Sequence, residues 1–190
     1  MHEESPRPAG GSDAASVLTV GHSTRSHDEL VELLNVHGVK RLVDVRTAPG
    51  SRRMPHFARA SLEVSLPERD IEYLHMPELG GLRKPRRDSV NSAWRNDSFR
   101  GYADYMQTED FWRAVGRLRV LAAEKTTAIM CAEAVPWRCH RSLIADALTV
   151  QGVKVCHITG KSEPATHRLT PFAVVLGGRI TYPGTDTLPL

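Results

Sequence analysis

Between Thr126 and His157 the chain reads TTAIMCAEAVPWRCHRSLIADALTVQGVKVCH, and this stretch restricts the fold more than any other. An apolar run over residues 127–130 stops at Cys131. A loop with Glu133, Pro136, Trp137 and Arg138 follows, and Cys139-His140-Arg141 then opens an amphipathic segment over 142–150 that Gly152 closes before a second apolar run. This spacing predicts strand, loop, helix, strand, a unit whose two strands lie parallel because parallel neighbours need a crossover connection. Ligands of open parallel sheets sit beyond the carboxyl ends of the strands, so the loop from Cys131 to His140 is where chemistry is expected first.

The same alternation runs through the rest of the chain. Residues 17–20 form a short apolar run ending in Gly21-His22-Ser23-Thr24. Ser26 with Glu29 reads as a capping box for a helix that puts Leu30, Leu33, Leu34 and His37 on one side and stops at Gly38. Residues 41–45 predict a second strand with Asp44 at its end, followed by Arg46 and the turn Ala48-Pro49-Gly50. A short helix over 58–68 and a third strand over 71–75 lead into Met76-Pro77-Glu78-Leu79-Gly80-Gly81. A long connection follows, carrying Arg83-Lys84-Pro85-Arg86-Arg87, and connections of that length in compact domains are commonly functional. Helices are expected over 99–106 and 109–123, the second capped by Thr108, and residues 172–176 and 179–182 flank Gly177-Gly178 as a hairpin.

The expected architecture is therefore α/β: three layers, a mostly parallel sheet with helices on both faces, and a small C-terminal hairpin. At 190 residues and 41% hydrophobic content, one domain over 16–190 is the expectation. Residues 1–15 mix Pro, Gly, Ser and charge with almost no large apolar side chains and read as a disordered tail. No apolar run approaches the roughly 18 residues of a membrane span, and the amino terminus lacks the apolar core of a signal peptide. A cytoplasmic setting without a membrane partner is expected. The net charge of +3 is too small to mark a nucleic-acid binder by itself. Three cysteines, an odd count, argue against a disulfide framework and leave thiols for packing, metal or redox roles.

Parallel neighbours would gather His22, Asp44 with Arg46, His75 with Glu78, Cys131 with Glu133, and His157 on one rim. Cys131 is a candidate nucleophile, since a thiolate beside a helix amino terminus with Arg138 and Arg141 near has a lowered pKa. Its spacing to Arg138 is one residue longer than the cysteine-x5-arginine pattern of phosphatases, and glycines that would cradle an anion are absent. A strand-end cysteine packed as a small hydrophobe is the alternative. Asp44, Glu133 and His22 are candidates for acid, base or orienting roles, against an ion pair of Asp44 with Arg46 or Arg141 that is purely structural. Cys131, Cys139 and His140 also suggest a transition-metal ligand set, although the seven residues between the cysteines exceed the roughly two to four of zinc sites. Arg52-Arg53 and the run Arg83 to Arg87, followed by Trp94, Phe99, Tyr102 and Tyr105, fit either a nucleic-acid surface or a solvated loop.

Five separated motifs carry a resemblance. GHSTRS at 21–26, LVDVR at 42–46, PELGG at 77–81, FRGYADYM at 99–106 and MCAEAVPWRCHRSLIAD at 130–146 together resemble the family catalogued as domain of unknown function 488, from about residue 17 to 182. The resemblance implies an intracellular prokaryotic α/β domain and no particular reaction. Its motif residues here are His22, Ser23, Asp44, Arg46, Glu78, Gly80, Gly81, Arg100, Tyr102, Cys131, Glu133, Cys139, His140 and Arg141. The order of strand-aspartate and later strand-cysteine-loop-helix is also similar in layout to rhodaneses, which is a weak warrant for activity.

Three functional readings follow. The preferred one is an enzyme acting on an anionic, phosphate-bearing substrate such as a nucleotide or nucleic acid. It takes Cys131, Glu133, Asp44 and His22 as catalytic and Ser23, Arg46, Arg100, Tyr102, Arg138 and Arg141 as substrate-binding. The second is a metal-binding or thiol redox protein using Cys131, Cys139 and His140. The third is a non-catalytic nucleic-acid-binding module built on the basic loop.

Overall fold

The computed structural model describes residues 16–50 and 53–184. The amino-terminal segment read as a disordered tail, and Arg52 of the first basic pair, lie outside the described residues.

Five parallel strands form the centre: β1 (Ser16–Gly21), β2 (Arg41–Asp44), β3 (Glu72–His75), β4 (Thr127–Cys131) and β5 (Lys154–Ile158). They stand in the order β3-β2-β4-β1-β5, and a two-residue strand, β6 (Ala165–Thr166), adds an antiparallel edge to β5. The hairpin expected at Gly177-Gly178 is present as β7 (Val174–Leu176) and β8 (Arg179–Thr181), with both glycines at positive φ. The α/β expectation, with its mostly parallel sheet and C-terminal hairpin, holds.

Two apolar clusters sandwich the sheet. α1 (His27–Val36) and α2 (Arg59–Ser65) bring Leu30, Leu34 and Leu62 against Val20, Leu42 and Ala128. On the opposite face, α4 (Glu109–Glu124) and α5 (Arg141–Val150) bring Phe111, Leu118, Leu143 and Leu148 against Val17, Val43, Ile129 and Val155, and α3 (Asp97–Tyr105) closes this side with Tyr102 and Ala103. Ala128 and Met130 face one cluster and Ile129 the other, the two-residue alternation of a strand. Burial on both faces is why these strands read as continuous apolar runs. No helix among the described residues is long and apolar enough to cross a membrane.

The helix starts obey local chemistry. The Ser26 hydroxyl accepts from the Glu29 amide at 3.2 Å and the Glu29 carboxylate accepts from the Ser26 amide at 2.6 Å, so both halves of the capping box form. Thr108 caps α4 by accepting from the Phe111 amide. α3 begins two residues before the expected position because Asn96 serves as its cap, accepting from Ser98 and Phe99.

Strand order decides which ends meet. β4 lies between β2 and β1, pairing Gly21 with Cys131 and Asp44 with Met130. His157 pairs with Thr19, two residues short of the end of β1, so it stands below the rim on which the sequence pattern places it. The long basic connection is ordered against α3 by Asp104, which accepts from the Arg86 amide, the Ser89 hydroxyl and the Asn91 side-chain amide. The aromatics that follow the basic run pack inward: Trp94 stacks on Phe99 at 4.7 Å and meets Tyr182 edge-on. Tyr102 is fully buried and donates to the Leu79 carbonyl at 2.9 Å. They are not arranged as an exposed stacking platform.

Candidate functional site

The loop after β4 is held carbonyl by carbonyl. The His22 amide donates to the Cys131 carbonyl at 3.0 Å and the Ser23 amide to the Ala132 carbonyl at 2.9 Å. Ser23 takes the left-handed conformation, φ 52°, to aim its amide there. The Arg141 guanidinium donates to the Glu133 carbonyl and reaches the Ala134 carbonyl at 3.5 Å. A Cβ at Gly21 would fall on the Glu133 carbonyl, so glycine is required where β1 passes under the loop. The motif Gly21-His22-Ser23 therefore supports the loop with its backbone.

Pro136–Arg138 make a single 3-10 turn that doubles the chain back, returning Cys139 and His140 to Cys131. The Nδ1 of His140 lies 4.0 Å from the Cys131 sulfur and 3.6 Å from the Cys139 sulfur. One ligand atom from each of the three residues lies within 4.8 Å of the others. A tetrahedral zinc with Zn–S of about 2.3 Å and Zn–N of about 2.0–2.1 Å has sulfur-to-nitrogen edges of about 3.6 Å, close to the distances found. The ring orientation also suits a ligand. The His140 Nε2 lies 3.2 Å from the Val45 carbonyl, and a carbonyl can only accept, so Nε2 carries the proton and Nδ1 presents its lone pair to the two sulfurs. Gly81 makes room for this ring, since a Cβ there would overlap the imidazole.

A pocket of about 380 Å³ opens beside these three residues. Arg46, Ala48, Leu82, Phe99, Ala132, Glu133 and Arg138 are among the residues that complete its wall. Glu133 and Arg138 are both exposed, and no ion pair of either is found among the described residues.

Electrostatics favour negative charge on Cys139. The two thiols lie side by side, and their interaction holds Cys139 well below the usual thiol range and pushes Cys131 up, burial adding to the rise at Cys131. The nearby Arg141 charge further favours the Cys139 thiolate. Arg141 is only 1% exposed, its Nε has no hydrogen-bond partner, and no carboxylate pairs with it among the described residues.

The other sequence candidates occupy a separate network. Asp44 is completely buried and takes both arms of Arg46, at 2.9 and 2.6 Å, with the Tyr73 hydroxyl at 2.8 Å. Arg46 also donates to the Phe57 carbonyl and to the Nε2 of His22, which leaves His22 to donate from Nδ1 to the Ser23 carbonyl. Burial and Arg46 lower the His22 pKa to about 4. Asp44 and His22 pack with Tyr73 and Phe57 on the α1/α2 side and do not line the pocket, whereas Cys131 packs against the opposite cluster. Of the six residues read as substrate-binding, only Arg46 and Arg138 line the pocket, and Arg46 is already fully engaged. Arg141 is buried under the loop, Tyr102 is in the core, Ser23 is spent on the turn, and Arg100 pairs with Asp97.

Sequence reasoning missed Gly81 as the residue that seats His140, although the Gly80-Gly81 pair stood out, and missed Leu82 and Phe99 as pocket walls. The family model described as Domain of unknown function DUF488 matches residues 26–148, about two thirds of the chain. The chain belongs to the DUF488 family. In this DUF488 chain the matched span contains Cys131, Cys139 and His140, yet it begins after the Gly21-His22-Ser23 turn, so it is shorter than the span suggested by the five motifs. No curated protein and no solved structure matches the chain.

Proposed function

We propose that this DUF488 protein is a metal-dependent enzyme in which Cys131, Cys139 and His140 hold a zinc-class ion and the adjoining pocket takes a small anionic substrate. The observation that carries this reading is the orientation of His140. Its Nε2 proton is committed to the Val45 carbonyl, so its Nδ1 lone pair points at two sulfurs 3.6 and 4.0 Å away. Two thiolates would balance a divalent ion, and the buried Arg141 favours that charge state.

An ion held by these three residues would supply Lewis acidity at the pocket. The chain's own groups are assigned the rest. Glu133, an exposed carboxylate on the pocket wall, would serve as the proton acceptor of the pocket. Arg138, the exposed arginine on that wall, meets the anionic group of the substrate. Leu82, Phe99 and Ala132 line the pocket with apolar surface. In this reading Asp44 and His22 have a supporting role: they hold Arg46, which the sequence pattern alone offered as a free anion grip.

The test begins with metal content. Purified protein should take up one equivalent of zinc, and Cys139→Ser and His140→Ala should lose it while Glu133→Gln keeps it. Cobalt in place of zinc should give a thiolate-to-cobalt charge-transfer band, and inorganic phosphate should perturb the cobalt spectrum of the wild type but not of Arg138→Ala. Failure to bind one zinc or cobalt at neutral pH sinks the proposal.

A second reading is favoured by the closeness of the two sulfurs, which lie within 4.8 Å of each other. Without metal, Cys131 and Cys139 would give up two protons and two electrons to an oxidant such as diamide and close a disulfide. Bound zinc should block that step, and zinc-insensitive oxidation would favour the redox reading.

A further inference from the structure

A chain of buried polar groups runs from the loop, beneath the sheet rim, to the far side of α5. The Arg141 guanidinium donates to the Thr19 hydroxyl at 3.4 Å. The Thr19 oxygen lies 2.8 Å from His157 Nδ1, the His157 Nε2 lies 2.9 Å from His167 Nδ1, and the His167 Nε2 lies 2.8 Å from the Asp146 carboxylate. Asp146 also accepts from the Thr170 amide and hydroxyl and from the Tyr182 hydroxyl, at 3.0, 2.7 and 2.8 Å. Thr19 and Asp146 are fully buried and Arg141 is 1% exposed.

Only one proton arrangement satisfies every link with neutral imidazoles. The Asp146 carboxylate can only accept, so His167 carries its hydrogen on Nε2 and its Nδ1 accepts from His157 Nε2. His157 Nδ1 is then an acceptor and takes the Thr19 hydroxyl proton, while the Thr19 oxygen accepts from Arg141. Each donor points the same way, and the orientation of every group depends on the next. None of the four residues beyond Arg141 lines the pocket, and a core could be filled more simply with apolar side chains. At the near end, Arg141 receives the Glu133 and Ala134 carbonyls, the part of the loop that lies over Gly21.

We infer that Thr19, His157, His167 and Asp146 are positioning residues for the candidate site, acting through Arg141 to set the loop that carries Cys131 and Glu133. The inference rests on the reading of Cys131, Cys139 and His140 as the metal site. The relay makes the loop geometry depend on a hydroxyl and two imidazoles that never touch metal or substrate.

The decisive pair of variants is Thr19→Val and Thr19→Ser. Valine keeps the shape and deletes the hydroxyl; serine keeps the hydroxyl and deletes a methyl. Zinc affinity, measured by competition with a chromophoric chelator, should fall about tenfold in Thr19→Val and stay at the wild-type value in Thr19→Ser. Hydrogen exchange of a peptide covering residues 132–138 should be faster in Thr19→Val alone. If Thr19→Val does not fold, His167→Ala breaks the relay further along and should give the same two changes. A merely structural role would make affinity follow stability, so that serine, which loses core contact, would be no better than valine. Equal affinity and equal exchange in all variants overturn the inference. If wild-type protein takes up no zinc but Thr19→Val still speeds loop exchange, the metal reading fails and the positioning role stands.

Discussion

The backbone carbonyl of Glu133 occupies the space that a side chain on Gly21 would need. β1 thus supports the loop by offering a bare backbone. Gly21→Ala is expected to displace the loop, lower stability by about 1–3 kcal/mol through overpacking, and weaken zinc binding by at least about tenfold. Thermal denaturation and a zinc competition titration check both halves, and an unchanged affinity would contradict the loop's dependence on this contact.

Gly81 plays the matching part for His140. A methyl group there would meet the imidazole ring, which is fixed on its other side by the Val45 carbonyl. Gly81→Ala should tilt the ring and reduce zinc affinity by roughly ten- to a hundredfold, as disturbed outer contacts of metal ligands do. The fold should persist, because Gly81 is not part of either apolar cluster. Circular dichroism beside metal titration separates the two effects.

Asp44 should behave as a structural residue. Its carboxylate is fully buried and holds Arg46 with two contacts and Tyr73 with one. Asp44→Ala leaves the guanidinium unpaired, which costs about 3–5 kcal/mol, and a denaturant melt should show it directly. A variant of unchanged stability would return Asp44 to the candidates for direct chemistry.

His157 gives a pH signature. Burial first, then His167 and Arg141, lower its pKa from 6.5 to about 4. In the unfolded chain the imidazole binds a proton as pH falls past 6.5, while in the fold it stays neutral until about 4. Its contribution to stability is therefore complete above 6.5 and lost as pH falls from there toward 4. Allowing for its partial exposure to solvent, the loss is about 1–2 kcal/mol. Denaturant midpoints across that range should fall less steeply in His157→Gln than in the wild type.

The layered α/β fold was legible because each element announces itself locally: a continuous apolar run in β4, a capping box at Ser26, glycines at the hairpin. The candidate site was legible only in part. Cys131, Cys139 and His140 were visible as chemistry-bearing residues, but the distance between the cysteines along the chain does not show that the turn at Pro136–Arg138 folds them together. Asp44, Arg46, Arg141 and Tyr102 looked available because a sequence carries no sign of burial at the rim, where each is consumed by a partner from another strand or helix. The relay from Thr19 to Asp146 was missed altogether. It joins residues from β1, α5, β5 and the segment after β6, and His167 had no local pattern to mark it.

β1 is the fourth of five parallel strands across the sheet, with β4 on one side and β5 on the other, yet it comes first in the chain and precedes the span matched by the DUF488 model. A fragment trimmed to 26–148 would lack both that strand and its outer neighbour. It would expose the flank of β4, and the turn beneath Cys131 would be missing. The boundaries of the family match therefore cut through the sheet, and a fragment that keeps it must contain Ser16 through Tyr182.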